Sequence, residues 1–165
     1  LERPAVINVH ADQPFLDPAV VSDMVRPFHS CEPVPAVVTP VYRLTPQTIH
    51  NPAVVKTLLA HDGRALYFSR SAIPHVRDVN PELWHEHPDY WGNVGVHGFR
   101  GFVLAMWDQL PTSPLEDVER LEQLRLIEAG LTIATFQVEG TSLSVDTSEQ
   151  LEQARNLLRG EGPSR

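Results

Sequence analysis

The fold of this chain is decided near its start, where the sequence reads Val6-Ile7-Asn8-Val9-His10-Ala11-Asp12-Gln13-Pro14-Phe15-Leu16-Asp17-Pro18. An apolar run stops at small residues and an acid. Asp17-Pro18 then opens a helix, because Asp caps free amides and Pro suits the first helical position. This order predicts a buried parallel strand from Ala5 to Val9 that delivers Asp12 to the carboxyl edge of an α/β sheet, where open α/β folds bind ligands.

A second acid stands at the end of another apolar run, in Val145-Asp146-Thr147. Together, Asp12 and Asp146 suggest a site for a hard metal ion. Each acid also has a simpler explanation. Asp12 can bond its own backbone in a turn, and Asp146 can favour the positive end of the last helix, which Thr147 and Gln150 cap. The residues alone leave both interpretations open.

The middle of the chain predicts strands and one hairpin. The apolar run from Ala36 to Tyr42 predicts a strand, and Pro40 within it indicates an edge or a bulge. The tetrapeptide His61-Asp62-Gly63-Arg64 separates two apolar runs, which predicts a β-hairpin over residues 54–70. The chain therefore reads as an α/β domain with an inserted hairpin.

A helix from Pro114 to Ala129 is predicted by a capping box at its start and by Gly130 at its end. Glu122 and Gln123 lie within it, between apolar positions that indicate a buried face. They either belong to a solvated face or line a cleft and bind substrate hydroxyls. Asn93 to Phe99 predicts a strand in which glycines allow close backbone approach.

Composition excludes several classes of protein. The chain has 165 residues and a net charge of −8, without a basic run, so a nucleic-acid-binding surface is not expected. No apolar run approaches the length of a membrane span, and the single cysteine, Cys31, cannot form an internal disulfide. We therefore expect a cytoplasmic protein that binds neither nucleic acid nor membrane. Since the chain enters a strand almost at Leu1, without a glycine-rich phosphate-binding turn, we also expect it to be the later part of a larger domain or a trimmed piece.

Other candidate chemistry is limited. Arg70 follows an apolar strand, where its guanidinium could bind a carboxylate or phosphate by a bidentate pair, or be an ordinary surface charge. The sequence has eight histidines, but none has the spacing of a zinc motif. A nucleophile elbow and a phosphate-binding loop are also missing from the sequence.

Several motifs in order resemble one known family. Residues Ile7–Pro14 resemble the pattern Val-Asn-Val-Gln-Gly-Asp-Glu-Pro. Further matching segments follow downstream: Asn51–Lys56, Ala65–Arg70, Ile73-Pro74, Ser113–Glu116, Leu121–Arg125 and Val145–Thr147. The combination, from about Ala5 to Leu158, is similar to the 3-deoxy-manno-octulosonate cytidylyltransferases, the CMP-Kdo synthetases.

The resemblance implies a fold and an activity. The fold would be a three-layer nucleotidyltransferase fold, like that of nucleotide-diphospho-sugar transferases, with an inserted β-hairpin and a homodimeric assembly. Residues 1–159 would form a partial cytidylyltransferase domain, and residues 160–165 a flexible tail. The activity would be Mg²⁺-dependent transfer of CMP from CTP to a sugar acid, with release of pyrophosphate, in lipopolysaccharide biosynthesis.

The resemblance also implies roles for individual residues. Asp12 and Asp146 match the catalytic, Mg²⁺-binding aspartates. Arg70 matches the arginine that holds the carboxylate of the sugar acid. Glu122 and Gln123 match the pair that contacts sugar hydroxyls.

The chain departs from the family at three positions on the acceptor side. His10 stands where the family has Gln, and the segment Asn93-Val94-Gly95-Val96-His97 stands where the family has His-Leu-Gly-Ile-Tyr. These residues, His10, Asn93 and His97, are therefore expected to bind the acceptor. The family's CTP-binding Pro-Ala-Arg loop is missing from this sequence, so we expect an N-terminally truncated domain that binds CTP poorly alone.

Two further functions stay open from the sequence. The first is CMP transfer to a small phosphonate such as phosphonoformate in natural-product biosynthesis. Arg70 and an imidazole at His10 or His97 would then bind the added negative charge. The second is an inactive partial domain that only dimerises, in which Asp12 and Asp146 serve as turn and cap residues.

Overall fold

One mixed sheet organises the chain. The computed structural model describes residues 5–87, 89–139, 145 and 147–159, and within these ranges seven strands pair with one another. Strand β2 is central: one of its edges pairs antiparallel with β6 and then β5, and the other pairs parallel with β7. The strands are β1 Val6–Asn8, β2 Val37–Arg43, β3 Lys56–Leu59, β4 Ala65–Ser69, β5 Trp91–Asn93, β6 His97–Phe99 and β7 Ile133–Gln137.

Helices cover both faces of the sheet. One apolar cluster packs Leu124 and Val103 against the sheet residues Val37 and Phe99, and a second cluster includes Met24 and helix and loop residues on the other side. This arrangement has three layers and confirms the predicted α/β fold class. The helices in the described ranges are α1 Pro18–Val25, α2 Pro27–Ser30, α3 Pro46–Ile49, α4 Gly101–Ala105, α5 Pro114–Glu119, α6 Gln123–Glu128 and α7 Ser148–Arg159, with 3₁₀ turns at Pro81–Glu86 and Trp107–Gln109.

The first strand differs from its prediction. β1 pairs antiparallel with β6, with Val6 opposite Phe99 and Asn8 opposite His97. It forms an edge of the sheet built by the described residues, and the side chain of Val6 is 45% exposed. The prediction of a buried parallel strand is therefore wrong. A short apolar run indicates a strand but carries no information about its direction or about a partner some ninety residues away.

Pro40 lies in the central strand, so the prediction of an edge position is wrong. β2 pairs with β6 through Val37 and Val38 and with β5 from Val41 onward. Pro40 stands between these two ladders, and its carbonyl accepts a hydrogen bond from the Val94 amide at 3.2 Å. The nitrogen of a strand residue faces the same side as its carbonyl, so the missing N–H falls where the antiparallel ladder is interrupted.

The helix predicted from Pro114 to Ala129 is two helices. Arg120 has φ 56°, a left-handed conformation that ends α5, and α6 begins at Gln123. The predicted cap is present, since the Ser113 hydroxyl accepts from the Glu116 amide at 2.9 Å. Arg125 of α6 donates to the Glu116 carboxylate at 2.6 and 3.0 Å and so joins the two helices across the break.

Several local predictions are confirmed. β3 and β4 form the predicted antiparallel hairpin, with Gly63 at φ +82° in its turn. Thr147 and Gln150 exchange hydrogen bonds of 2.9 and 3.2 Å at the start of α7. In the part of the chain that the structure describes, no helix has the length and apolarity needed to cross a membrane. Asp146 and the predicted tail at 160–165 lie outside the described residues.

Candidate functional site

A cavity of about 150 Å³ lies between the β1–β6 edge of the sheet and helix α6. It brings together four of the residues that the sequence predicted for acceptor binding, although they come from three separate parts of the chain. Its lining is His10, His97, Glu122 and Gln123 from that set, together with Asn8, Phe99, Trp107 and Leu126.

The pairing of β1 with β6 builds one wall of the cavity. Asn8 stands directly opposite His97, so their side chains lie next to each other on one face of the sheet. Gly98 between His97 and Phe99 faces the other side, where an added Cβ would lie 2.9 Å from the Ile7 side chain. The absence of a side chain at Gly98 therefore lets β1 and α1 pack closely behind the cavity wall.

His97 presents an uncharged imidazole to the cavity. The residue is only 7% exposed, and its Nε2 has no hydrogen-bond partner among the described residues. Burial, with a smaller contribution from nearby His10, lowers the pKa of His97 to about 4. A buried polar atom without a protein partner normally bonds to water or a ligand. His97 is thus prepared to exchange a hydrogen bond with a neutral polar group.

The burial of His97 predicts a pH dependence of stability. Its pKa is about 4 in the folded protein against 6.5 unfolded, so the unfolded state binds more protons between these values. The contribution of neutral His97 is complete above pH 6.5 and decreases as the pH falls toward 4, by roughly 3 kcal/mol in total. Urea unfolding between pH 7 and 4.5 measures this loss. His97→Phe is expected to flatten the curve, and an unchanged slope in that variant would assign the loss to other groups.

Helix α6 forms the opposite wall and is held by an aromatic and ionic stack. The Trp107 ring meets Phe99 edge to face, with ring centroids 6.1 Å apart. The Arg125 guanidinium also lies 5.6 Å from the Trp107 ring centroid, and Glu116 pairs with Arg125. This stack places the start of α6, and with it Glu122 and Gln123, against the cavity.

Asp12 follows β1, and the chain returns to it near its C-terminal end. The Val145 amide donates to the Asp12 carbonyl at 2.9 Å, across more than 130 residues of sequence. The next residue after Val145 is Asp146, which lies outside the described residues. The structure therefore brings Val145 to Asp12 and leaves the position of Asp146 a prediction. A pair of carboxylates fits Mg²⁺, which takes few protein oxygens and completes its shell with water and phosphate. Within the described ranges, no group of three or more His, Cys, Asp or Glu side chains could hold a metal.

Arg70 does not line the cavity. Its Nε donates to the Glu119 carbonyl at 2.9 Å, and its Nη1 donates to the Pro52 carbonyl at 3.2 Å. The Glu119 carboxylate in turn accepts from the Ser69 hydroxyl at 2.6 Å and from the Arg70 amide at 2.9 Å. In this structure Arg70 therefore ties the hairpin to the end of α5, and its binding of an acceptor carboxylate stays a prediction.

Asn93 also lies away from the cavity lining. Its Nδ2 donates to the Thr39 hydroxyl at 2.8 Å, and its Oδ1 accepts from the Gly95 amide at 2.9 Å. Both ends of the side-chain amide are thus used within the fold. A direct contact of Asn93 with the acceptor stays a prediction that this geometry does not support.

Sequence reasoning missed four lining residues, the apolar Phe99 and Leu126 and the two with polar groups, Asn8 and Trp107. Asn8 was part of the motif that marks β1, but only the register with β6 shows that it stands opposite His97. Trp107 follows α4 in a segment without a recognisable signal. A tryptophan near a predicted cleft was the only available indication, because large aromatic residues are also common in cores.

Comparison with known proteins gives consistent results. The protein-family model described as Cytidylyltransferase matches residues 2–133. The 3-deoxy-manno-octulosonate cytidylyltransferase of Chlorobaculum tepidum is 40% identical over 156 residues, which cover 93% of this chain and 61% of the relative. The enzyme of the same name from Porphyromonas gingivalis is 35% identical over 159 residues, which cover 95% of this chain and 63% of the relative.

Solved structures agree with the sequence comparison. A CMP:2-keto-3-deoxy-manno-octonic acid synthetase complexed with CTP superposes with a TM-score of 0.86 at 35% identity, covering 98% of this chain and 64% of that protein. The inositol-1-phosphate CTP transferase from T. maritima shares the fold at 12% identity, with a TM-score of 0.57, covering 98% of this chain and 57% of that protein. The chain thus spans less than two thirds of the length of these relatives.

Proposed function

Because this chain belongs to the cytidylyltransferase family, we propose that the protein containing it transfers CMP from CTP to 3-deoxy-manno-octulosonate and releases pyrophosphate. The printed names of relatives at 35 to 40% identity support this acceptor. In the reaction an acceptor hydroxyl oxygen forms a bond to the α-phosphorus of CTP, the bond from that phosphorus to the β-phosphate oxygen breaks, and the hydroxyl proton is released.

The lining of the cavity is the observation that carries the proposal. Neutral His97, the amides of Asn8 and Gln123 and the carboxylate of Glu122 face one small space. Such groups exchange hydrogen bonds with hydroxyls, and an Asp or Glu carboxylate is a strong acceptor for them. A polyhydroxylated sugar acid therefore matches the cavity through its hydroxyl groups.

Asp12 and Asp146 would hold the Mg²⁺ ion of the proposed reaction. When bound, Mg²⁺ neutralises phosphate charge and helps to orient an in-line displacement. The hydrogen bond between Val145 and Asp12 supports this assignment, since Val145 directly precedes Asp146 in the sequence. The protein's own residues would supply the acceptor cavity, which His10, two residues before Asp12, helps to line, and the α6 wall would keep Glu122 and Gln123 in place.

The phosphonate alternative loses much of its physical basis in this geometry. No Lys or Arg is among the described residues that line the cavity, and Glu122 adds a negative charge there. His97 is neutral near pH 7 because burial lowers the pKa of its imidazole to about 4. A compact anion with two or more charges would be surrounded by hydrogen-bond acceptors and uncharged groups. Removing it from water would therefore be costly, because no positive charge in the cavity would pair with it.

A comparison of two acceptors tests the proposed function. The full-length protein that contains this chain is given CTP, Mg²⁺ and either 3-deoxy-manno-octulosonate or phosphonoformate, and pyrophosphate release is measured. We expect turnover with the sugar acid and little with phosphonoformate. Preferential turnover of phosphonoformate would replace the proposal with the phosphonate reaction, and turnover of neither would favour the inactive partial domain.

The proposal includes a homodimer in the cytoplasm. The resemblance implies the dimer, and sedimentation of the full-length protein measures it. The exposed thiol of Cys31 is compatible with a reducing compartment, where such a group stays reduced.

A further inference from the structure

We propose that Thr39 and Asn93 are positioning residues that hold His97 in place for the acceptor. The inference rests on the proposed function, since it concerns the same cavity. Neither residue lines the cavity, and Asn93 had been expected to bind the acceptor directly. The structure instead links both residues to the turn that carries His97.

Thr39 provides the anchor of this turn. It lies in the central strand β2 and is fully buried. Its hydroxyl donates to the Val96 carbonyl at 2.8 Å and accepts from Asn93 Nδ2 at 2.8 Å. A buried hydroxyl that uses both its donor and an acceptor site fixes the two partners relative to the strand.

Asn93 provides the remaining contacts of this turn, and we call the hydrogen-bonded pair Thr39 and Asn93 the clamp. Its Oδ1 accepts from the Gly95 amide, and Gly95 takes φ +80°, so the chain between β5 and β6 turns out of the ladder. The Val94 amide donates to the Pro40 carbonyl at 3.2 Å. Three hydrogen bonds thereby attach the turn from residue 93 to 96 to β2, and a fourth closes the turn on itself.

The position of Pro40 explains why a side chain, and not the strand backbone, donates a hydrogen bond that attaches the turn to β2. The Pro40 nitrogen faces the turn but carries no hydrogen, so the strand backbone has no donor to offer there. The Thr39 hydroxyl supplies a donor beside it, and the Val96 carbonyl receives the bond. This carbonyl belongs to the peptide that leads directly into His97, so its orientation sets the direction of the imidazole.

The clamp matters for acceptor binding because it sets the direction of His97 Nε2. The Nε2 atom of His97 has no partner in the described part of the chain, and its usefulness depends on where it points. A displacement of about 1 Å at a binding group can lower its contribution strongly. Loss of the clamp should therefore weaken acceptor binding while leaving CTP binding unchanged, since the proposed function assigns this imidazole to the acceptor.

The test uses Thr39→Val and Thr39→Ser in the full-length protein. Valine keeps the shape and removes the hydroxyl, whereas serine keeps the hydroxyl. For Thr39→Val we expect the KM for 3-deoxy-manno-octulosonate to rise about tenfold, with the KM for CTP within about twofold of wild type. Thr39→Ser should restore the acceptor KM to within about twofold. Thr57→Val is the matched control, because Thr57 is equally buried and its hydroxyl has no partner among the described residues.

A second readout separates this inference from the proposed function. The ¹⁵N and ¹H resonances of the His97 ring report its environment without any turnover. In Thr39→Val, but not in Thr57→Val, we expect these resonances to shift. Unshifted resonances, or an equal rise of both KM values in Thr39→Val, would overturn the positioning role. Absence of turnover in the wild type with shifted His97 resonances would instead reject the proposed function and keep the clamp.

Discussion

Replacing Asp12 with asparagine is expected to lower kcat of the full-length protein by roughly 10³-fold while its thermal stability changes little. The substitution keeps the size of the side chain and removes the charge that the proposed metal site needs. Asp12 is half-buried after β1, and Val145 binds its carbonyl, so the backbone of the site is preserved in the variant. A CTP-dependent pyrophosphate assay over a Mg²⁺ titration measures the loss.

Two comparisons make this result interpretable. Asp17→Asn is the matched control, since Asp17 caps α1 through a 2.8 Å bond to the Ala19 amide and asparagine caps equally well. It should leave both rate and stability unchanged. Asp146→Asn should reproduce the Asp12 phenotype. If Asp12→Asn kept full activity and an unaltered Mg²⁺ requirement, this would support the alternative that Asp12 only bonds its own backbone in a turn.

Glu119→Ala is expected to lower the free energy of unfolding by about 2 to 4 kcal/mol. The Glu119 carboxylate accepts from the buried Ser69 hydroxyl and from the Arg70 amide, and both would lose their partner. It is also the negative charge beside Lys56, the only lysine of the sequence, whose Nζ donates to the Asn51 and Val54 carbonyls. Urea unfolding at pH 7 measures the change.

Lys56 offers an independent check of the same prediction. Burial and, to a smaller extent, Arg70 lower the pKa of Lys56, Glu119 raises it, and the net result is a pKa of about 8. Removing Glu119 should therefore lower the pKa of Lys56, which an NMR titration of its Cε protons can follow. Glu152→Ala is the control, since Glu152 and its partner Arg155 are about half exposed and contribute little. Equal losses of stability in the two variants would contradict the prediction.

Local features of this fold were readable from the sequence because their causes are local. Asp-Gly between two apolar runs predicts the hairpin β3–β4, since glycine takes the positive φ that the turn requires. Ser113 and Thr147 cap their helices as predicted, because a side-chain oxygen reaches an amide only two or three residues ahead.

Non-local features could not be predicted from the sequence, because their causes lie in segments that are distant along the chain. The helix break at Arg120 has no marker, since a left-handed arginine is stabilised by contacts on both sides, among them the Arg125–Glu116 pair and the Arg70 bond to Glu119. The partner of β1 was equally hidden, because strand pairing depends on which distant segment supplies the complementary edge.

The candidate site also combines features that the sequence predicts with features that depend on distant segments. The sequence by itself predicted His10, His97, Glu122 and Gln123 for the acceptor through the family resemblance, and it predicted Asp12 and Asp146 for a metal from their places at the ends of apolar runs. Only the tertiary structure decided which of them share one cavity, and that Arg70 and Asn93 make their hydrogen bonds within the fold and outside the cavity lining. The reason is that charge state and contact depend on burial and on partners remote in sequence. The lowered pKa of His97 and the Thr39 anchor exist only once β2, β6 and α6 have come together.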